Sequence, residues 1–301
     1  MHWVGVTVVV FAIGVAGTRL AKADEGRADA RGGRTSVDRA SPRLTMPLPS
    51  RLTTPPSAGV PSDAPSASGE RGRNAVDAEH LANFTIGAEV DVASRFIWRG
   101  LALSNGPIVE PAAWVSAYGF SAIVWTTLLL TDEPPHRRVR SVLPSLSYTY
   151  SWDRFRLEPG VMVYWMGDDI APRVTAELYA IAEVTFGDFR LANENYVDVK
   201  EYSGGYFGSI GPKYEKSIDR WAFKAGVDVA LATNNFNEGY FGVDSTELNL
   251  AEAQGEVRWD FTDNLYVTVH GEGSVLLASN LWRSVRDPAL VSVGTAFGAE
   301  L

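Results

Sequence analysis

The chain has 301 residues, is 46% hydrophobic and 21% charged, contains no cysteine, and carries a formal net charge of −9. Without cysteine there are no disulfide staples and no thiolate metal sites, and the acidity argues against a nucleic-acid partner, which needs a basic stripe. The charge is uneven: residues 1–23 carry only Arg19 and Lys22, residues 24–82 balance eight arginines against eight acids, and −11 is left for residues 83–301.

Trp3 to Gly17 is an apolar run followed by the small residues of Ala21-Lys22-Ala23. It falls short of the roughly twenty residues a membrane-spanning helix needs, and it fits a signal peptide (1–23) cut before Asp24. Only His2 and the α-amino group precede the apolar core, so an uncleaved anchor stays open as the alternative. Residues 24–82 contain no Phe, Tyr or Trp and seven of the sixteen prolines. Such a segment buries too little apolar surface to offset its ordering entropy, so a disordered periplasmic linker is expected there, either a spacer or an envelope tether.

From Asn83 onward the pattern changes to alternation. Phe155, Leu157, Pro159, Val161, Val163 and Trp165 alternate with Arg156, Glu158, Gly160, Met162 and Tyr164, and Val174 to Phe186 alternates in the same way against Thr175, Glu177, Tyr179 and Glu183. A period of two with charges on one face is the signature of a strand that has lipid on one side and water on the other. Short turns bracketed by aromatics recur at Tyr118-Gly119-Phe120, Trp152-Asp153-Arg154-Phe155, Phe186-Gly187-Asp188-Phe189, Ile218-Asp219-Arg220-Trp221 and Phe261 to Leu265, with longer polar connections between them.

This spacing predicts strands near 84–98, 108–118, 120–130, 140–151, 155–166, 173–186, 189–202, 206–217, 221–232, 246–260, 265–277 and 289–301. The expected fold is all-β: residues 83–301 form a closed up-and-down antiparallel transmembrane β-barrel of about twelve strands, with ten as the alternative count. Asn193 and Asn195 on an outward face and Lys216 on the next strand are the weakest points of the pattern. Both termini and the short turns are expected on the periplasmic side of a bacterial outer membrane. Tyr118, Phe120, Trp152, Phe155, Phe186, Phe189, Trp221, Trp259 and Phe261 would form one interfacial aromatic ring, and Trp98, Trp165, Tyr202, Tyr206, Tyr240 and Trp282 the other.

Parity assigns Glu89, Asp91, Arg95, Arg99, Arg156, Glu158, Arg173, Glu177, Glu183, Lys224, Asp228, Glu252, Glu256, Arg258, His270 and Glu272 to the lumen. Bare charges are too costly to bury dry, so the lumen is either wet or laced with ion pairs. A wet, acid-rich lumen is a passive pore for small polar or cationic solutes and needs no cofactor. An ion-paired lumen makes a closed structural or interaction barrel. A third reading, an outer-membrane lipid hydrolase, rests on His270 and Ser274. Four residues along a strand span about 13 Å, too far for a nucleophile–base hydrogen bond, so no catalytic residue is assigned. With two histidines and no cysteine in this segment, no metal constellation is visible either.

His136, Arg137 and Arg138 stand in a polar loop suited to lipopolysaccharide phosphates, and Asp132-Glu133 and Asp168-Asp169 read as loop carboxylates. Expected partners are outer-membrane lipid, lipopolysaccharide, small solutes and the barrel-assembly machinery, with a homo-oligomer left open.

The segment Ser94-Arg95-Phe96-Ile97-Trp98-Arg99-Gly100-Leu101-Ala102-Leu103-Ser104-Asn105-Gly106-Pro107 resembles the S-x-Y-x-x-R-G-x-x-x-S opening strand and loop of the TorF-type porins, the Gcw_chp family, with Phe96 at the usual Tyr position. The resemblance implies an outer-membrane barrel with a transport role. Gly100 would let the strand leave the sheet, and Arg99 could tie the loop to lumen carboxylates or stand as a solvated charge at the strand end.

Overall fold

The computed structural model describes residues 84–104, 106–131, 139–166 and 173–301. The expected signal peptide (1–23), the linker (24–82) and the loop residues Asp132, Glu133, His136, Arg137, Arg138, Asp168 and Asp169 lie outside the described residues. The strands run in the order β1 (Phe84–Ala93), β2 (Ile97–Trp98), β3 (Leu101–Ala102), β4 (Ile108–Ala117), β5 (Phe120–Leu129), β6 (Val139–Tyr148), β7 (Tyr150–Trp152), β8 (Phe155–Met166), β9 (Val174–Phe186), β10 (Phe189–Asp198), β11 (Tyr206–Ile218), β12 (Trp221–Ala232), β13 (Glu247–Asp260), β14 (Leu265–Leu276) and β15 (Ala289–Glu300). Among the described residues two short helices sit in connections, α1 (Asn234–Phe241) between β12 and β13 and α2 (Ser279–Ser284) between β14 and β15.

Each long strand pairs antiparallel with its neighbours. β1 meets β15 from Gly87↔Glu300 to Ala93↔Gly294, and β6 and its continuation β7 both pair with β8. The sheet therefore closes into a barrel of twelve staves, β7 being the end of the β6 stave. The short turns do what their residues allow. Tyr118 and Gly119 both take positive φ (53° and 84°), as a two-residue hairpin loop matched to the strand twist requires.

Alternation survives in three dimensions. Ile86, Val90 and Val92 on β1, Val227, Val229 and Leu231 on β12, and Val291, Val293 and Phe297 on β15 are all exposed, while Gly87, Asp91, Asp228, Ala230, Ser292 and Ala296 at the alternate positions are buried. An apolar belt this extensive suits hydrocarbon, not water. The two outward asparagines satisfy one another: Asn195 donates to Asn193 Oδ1 (2.8 Å), Asn193 donates to Ser209 O (3.0 Å), and Tyr206 OH donates to Asn195 Oδ1 (2.7 Å). Lys216 pairs with Asp188 at the short-turn end.

Two strands stop earlier than the sequence predicts. β10 ends at Asp198 because that carboxylate accepts the N–H groups of Lys200 and Tyr202 and turns the chain. β1 ends at Ala93, not 98, because Phe96, Ile97 and Trp98 are apolar in succession and bury every side chain inside the barrel. Trp98, expected in the outer aromatic ring, is 1% exposed. Tyr240 is likewise buried, and Tyr202 stacks edge-on against it at 4.9 Å, so these three rings belong to the interior. Trp165 and Trp282 are exposed, as are Tyr118, Phe120, Trp152, Phe155, Phe186, Phe189, Trp221 and Trp259, while Phe261 is half-buried.

Candidate functional site

The inner wall from β8 round to β15 and β1 carries a ladder of ion pairs. Arg156 bonds Glu158 and, at 2.8 Å, Glu183, while Arg190 bridges Glu183 (3.7 Å) and Glu215 (2.8 Å). Lys213 pairs with Asp228, Lys224 with Glu256 at 3.1 Å, and Arg258 with Asp260 at 2.7 Å. Tyr266 OH donates to Glu89 at 2.9 Å, and His270 Nε2 lies 2.9 Å from Asp91 Oδ1. These contacts follow from register: residues two apart on one strand, or opposite or diagonal on adjacent staves, share a face within reach of long side chains, and Tyr266 and His270 reach past β15 to β1 because Gly298 and Gly294 leave room beneath their rings.

The wall of β4 to β6 is different in kind. It presents Trp114, Trp125, Ser121, Leu143 and Ser147, with charge only towards the long-loop end at Glu110 and Arg140. Glu110 accepts from Thr127 Oγ1 at 2.7 Å. Arg140 reaches the lumen through a bulge: Thr127↔Ser141 gives way to Leu128↔Val139, leaving Arg140 as the extra residue.

At the long-loop end the connection from Ser94 to Pro107 folds into the barrel as a small hairpin, β2 and β3, closed by Arg99-Gly100. Both residues take positive φ (41° and 83°), as the two-residue loop at Tyr118-Gly119 does and as a hairpin closed between Trp98 and Leu101 requires. The hairpin is fixed at its root by Phe96 N donating to Ser104 Oγ (2.8 Å) and Leu103 N to Phe96 O (2.8 Å).

The tip crosses the lumen. Arg99 Nη1 and Nη2 each donate at 2.9 Å to one oxygen of Glu177, on β9, and Tyr164 OH, from β8, donates to the same carboxylate at 2.5 Å. The guanidinium carbon lies 4.5 Å from the ring centroids of Trp98, Tyr196 and Phe207 and 5.5 Å from that of Phe236. Burial alone would lower the Arg99 pKa, but Glu177, together with Tyr164 and Tyr196 beside it, outweighs it and the net shift is upward. The arginine is a permanently charged latch.

Helix α1 backs this latch. Phe236, Asn237, Tyr240 and Phe241 form its buried stripe, one apolar face of a helical period. Trp98 meets Tyr240 edge-on at 5.1 Å and Phe236 at 5.8 Å. Asn237 donates to Ser245 O at 2.8 Å and accepts from Asn249 at 2.7 Å. Asn249 is itself a bulge residue between the pairs Ala230↔Leu250 and Leu231↔Leu248.

The residues assigned by parity take these places. Glu89, Asp91, Arg156, Glu158, Glu177, Glu183, Lys224, Asp228, Glu252, Glu256, Arg258, His270 and Glu272 sit at inward register positions, and the ladder or the latch joins most of them. Arg95 lies past the end of β1, where its carbonyl accepts from Ser292 Oγ at 2.8 Å, and Arg173 is exposed just before β9. The charged positions that sequence reading missed are Glu110, Arg140, Arg190, Glu194, Asp198, Lys213, Glu215, Asp260 and Glu300. Those on β10 share one parity and were readable, but the outward asparagines masked the alternation. Ser274 and His270 both point inward, and the His270 ring lies over Gly294, where an added Cβ would come within 2.2 Å of Nε2.

In comparison with known proteins, a family model described as MltA-interacting protein MipA matches residues 141–280, a little under half of the chain. No curated relative matches in sequence. Among solved structures, the chain is similar to the NanC porin (12% identity over 70% of this chain and 98% of that one, TM-score 0.46). It is also similar to an outer membrane channel from Pseudomonas putida F1 (9% identity, 73% and 96%, TM-score 0.44) and to the KdgM porin (12% identity, 72% and 97%, TM-score 0.39).

Proposed function

We propose that this protein is a porin-like barrel of the bacterial outer membrane that passes small polar solutes, cations in preference to anions, through a lumen narrowed at its long-loop end by the 94–107 hairpin. The short turns face the periplasm in this reading. One observation carries it. Charged side chains on the inner wall of the short-turn half keep contact with solvent, Arg156 being 20% exposed, Lys224 30% and Glu256 24%, while the outer face at the same level is apolar. Water therefore enters a barrel whose outside suits lipid, and the acid excess of the segment sets the preference for cations. The resemblance of 94–107 to the TorF-type porins supports the same reading.

The test is conductance of the folded barrel in a planar bilayer, with the reversal potential read under a salt gradient. Small cation-selective steps are expected from the full-length protein and larger ones from a variant lacking residues 96–104. Silence from both folded proteins rejects the channel.

A second reading, a closed interaction barrel, is favoured by the burial of Trp98, Phe236 and Leu281 at the long-loop end and by the matched family's description as MltA-interacting. It predicts saturable binding of purified MltA to the barrel and no conductance.

A further inference from the structure

We infer that the walls around Arg99 form a receptor for a small guanidino cation, which the chain fills with its own arginine. Two halves of the contact differ in rigidity. Glu177 stands in the middle of β9, is 1% exposed, and is oriented by Tyr164 from the adjacent stave. Tyr196 and Phe207 come from β10 and β11, and Phe236 from α1. The cation, by contrast, rides on a two-residue turn in a left-handed conformation at the tip of a hairpin whose two strands are two residues each. The pocket is built by the barrel, and the occupant is delivered by a loop.

The pocket's chemistry selects the guanidinium group. A carboxylate offering both oxygens at 2.9 Å matches a planar fork of N–H donors and gives an ammonium no second bond of equal geometry. Aromatic rings on several sides hold a flat, weakly hydrated cation by its faces. Tyr240, 5% exposed on the α1 wall, has a hydroxyl without a protein partner, which leaves one further polar group for a solute that is more than a bare guanidinium. An acidic lumen raises the local concentration of any such cation.

A tethered arginine competes at an effective concentration on the order of millimolar, so a free guanidino solute displaces it only in that range. Displacement frees the hairpin, which on the channel reading widens the constriction. The opening rests on that reading. The binding does not, and the two are measured separately.

Binding is read from the thermal midpoint of the folded full-length barrel in detergent, with methylguanidinium as the probe and methylammonium at equal ionic strength as the control. Arg99→Ala should lower the midpoint, and methylguanidinium should restore much of the loss saturably, below the concentration needed to loosen the hairpin of the unmodified protein. Methylammonium should restore none, and Glu177→Gln added to Arg99→Ala should abolish the rescue. If Arg99→Ala does not fold, Arg99→Lys keeps the charge but not the fork, and methylguanidinium should then expose its 94–107 loop to protease at lower concentration than in the unmodified chain. Absence of saturable rescue, or equal rescue by methylammonium, overturns the receptor. A normal rescue without any conductance overturns only the channel.

Discussion

Arg99 and Glu177 stand 78 residues apart in sequence, and the hairpin that carries Arg99 leaves the wall at β1, five staves round the barrel from β9, and rejoins it at β4, four staves away, yet the two side chains meet through two parallel 2.9 Å hydrogen bonds. In a ring of twelve, five staves is nearly the diameter. One ion pair thus spans the lumen and holds an otherwise slender hairpin against the far wall.

The latch predicts asymmetric mutational costs. Glu177→Ala leaves the Arg99 guanidinium and the Tyr164 hydroxyl buried without their acceptor, and removing one partner of a buried pair costs about 3–5 kcal/mol. Replacing both charges, Arg99→Met with Glu177→Met, should recover most of that loss. Urea unfolding of liposome-folded protein measures the cycle, and a double variant no more stable than Glu177→Ala would count against the pairing as the source.

Exposure separates two lysine pairs on one strand. Lys213 and Asp228 are 12% and 9% exposed, whereas Lys216 and Asp188 are 44% and 47% exposed. Lys213→Ala should cost about 3–5 kcal/mol, because Asp228 is left buried and alone. Lys216→Ala should cost far less, because solvent screens the exposed pair, and its effect should become undetectable in high salt. Equal costs in the same urea assay would contradict this ordering.

The outer face gives a direct test of the membrane reading. Val227 lies near the middle of β12 and is 50% exposed. Val227→Arg should destabilise the liposome-folded barrel by about 2–4 kcal/mol if that site is at the bilayer midplane. A neutral result would place Val227 in water.

Alkaline pH should loosen the helix behind the hairpin. Burial, reinforced by Glu177, raises the Tyr240 pKa well above its ordinary value, although Arg99 pulls it down. A raised folded pKa gives stability that is complete below the unfolded value of about 10 and is lost as pH climbs from there towards the folded value. The thermal midpoint should therefore hold from pH 8 to about 10 and then fall. Tyr240→Phe should fall less steeply; an unchanged profile would remove Tyr240 from the account.

Strand positions were legible because alternation is local: Val174 to Phe186 declares its two faces without reference to anything distant, and Glu177 was assigned inward on that ground alone. What escaped was set by partners far along the chain. Phe96-Ile97-Trp98 reads as the continuation of a strand, and only the packing of Trp98 against Phe236 and Tyr240, far along the chain, explains why it leaves the wall. Arg140 and Asn249 escaped for a different reason: each is the extra residue of a bulge, which shifts parity by one and turns inward a side chain that simple counting sends outward. Helix α1 lay within a connection expected only to be long and polar, its Phe236–Tyr240 stripe too short to register as a period.

The seam between β1 and β15 also carries the root of the hairpin. Ser94 N–H donates to Val293 O at 2.8 Å, Val293 N–H returns a bond to the Ser94 hydroxyl at 3.1 Å, and Ser292 Oγ donates to the Arg95 carbonyl at 2.8 Å. These bonds exist only once the first stave has found the last. The stopper therefore shares its footing with the seam: parting the first stave from the last would cut the root of the hairpin while leaving intact the wall of β9 to β11 that receives its tip.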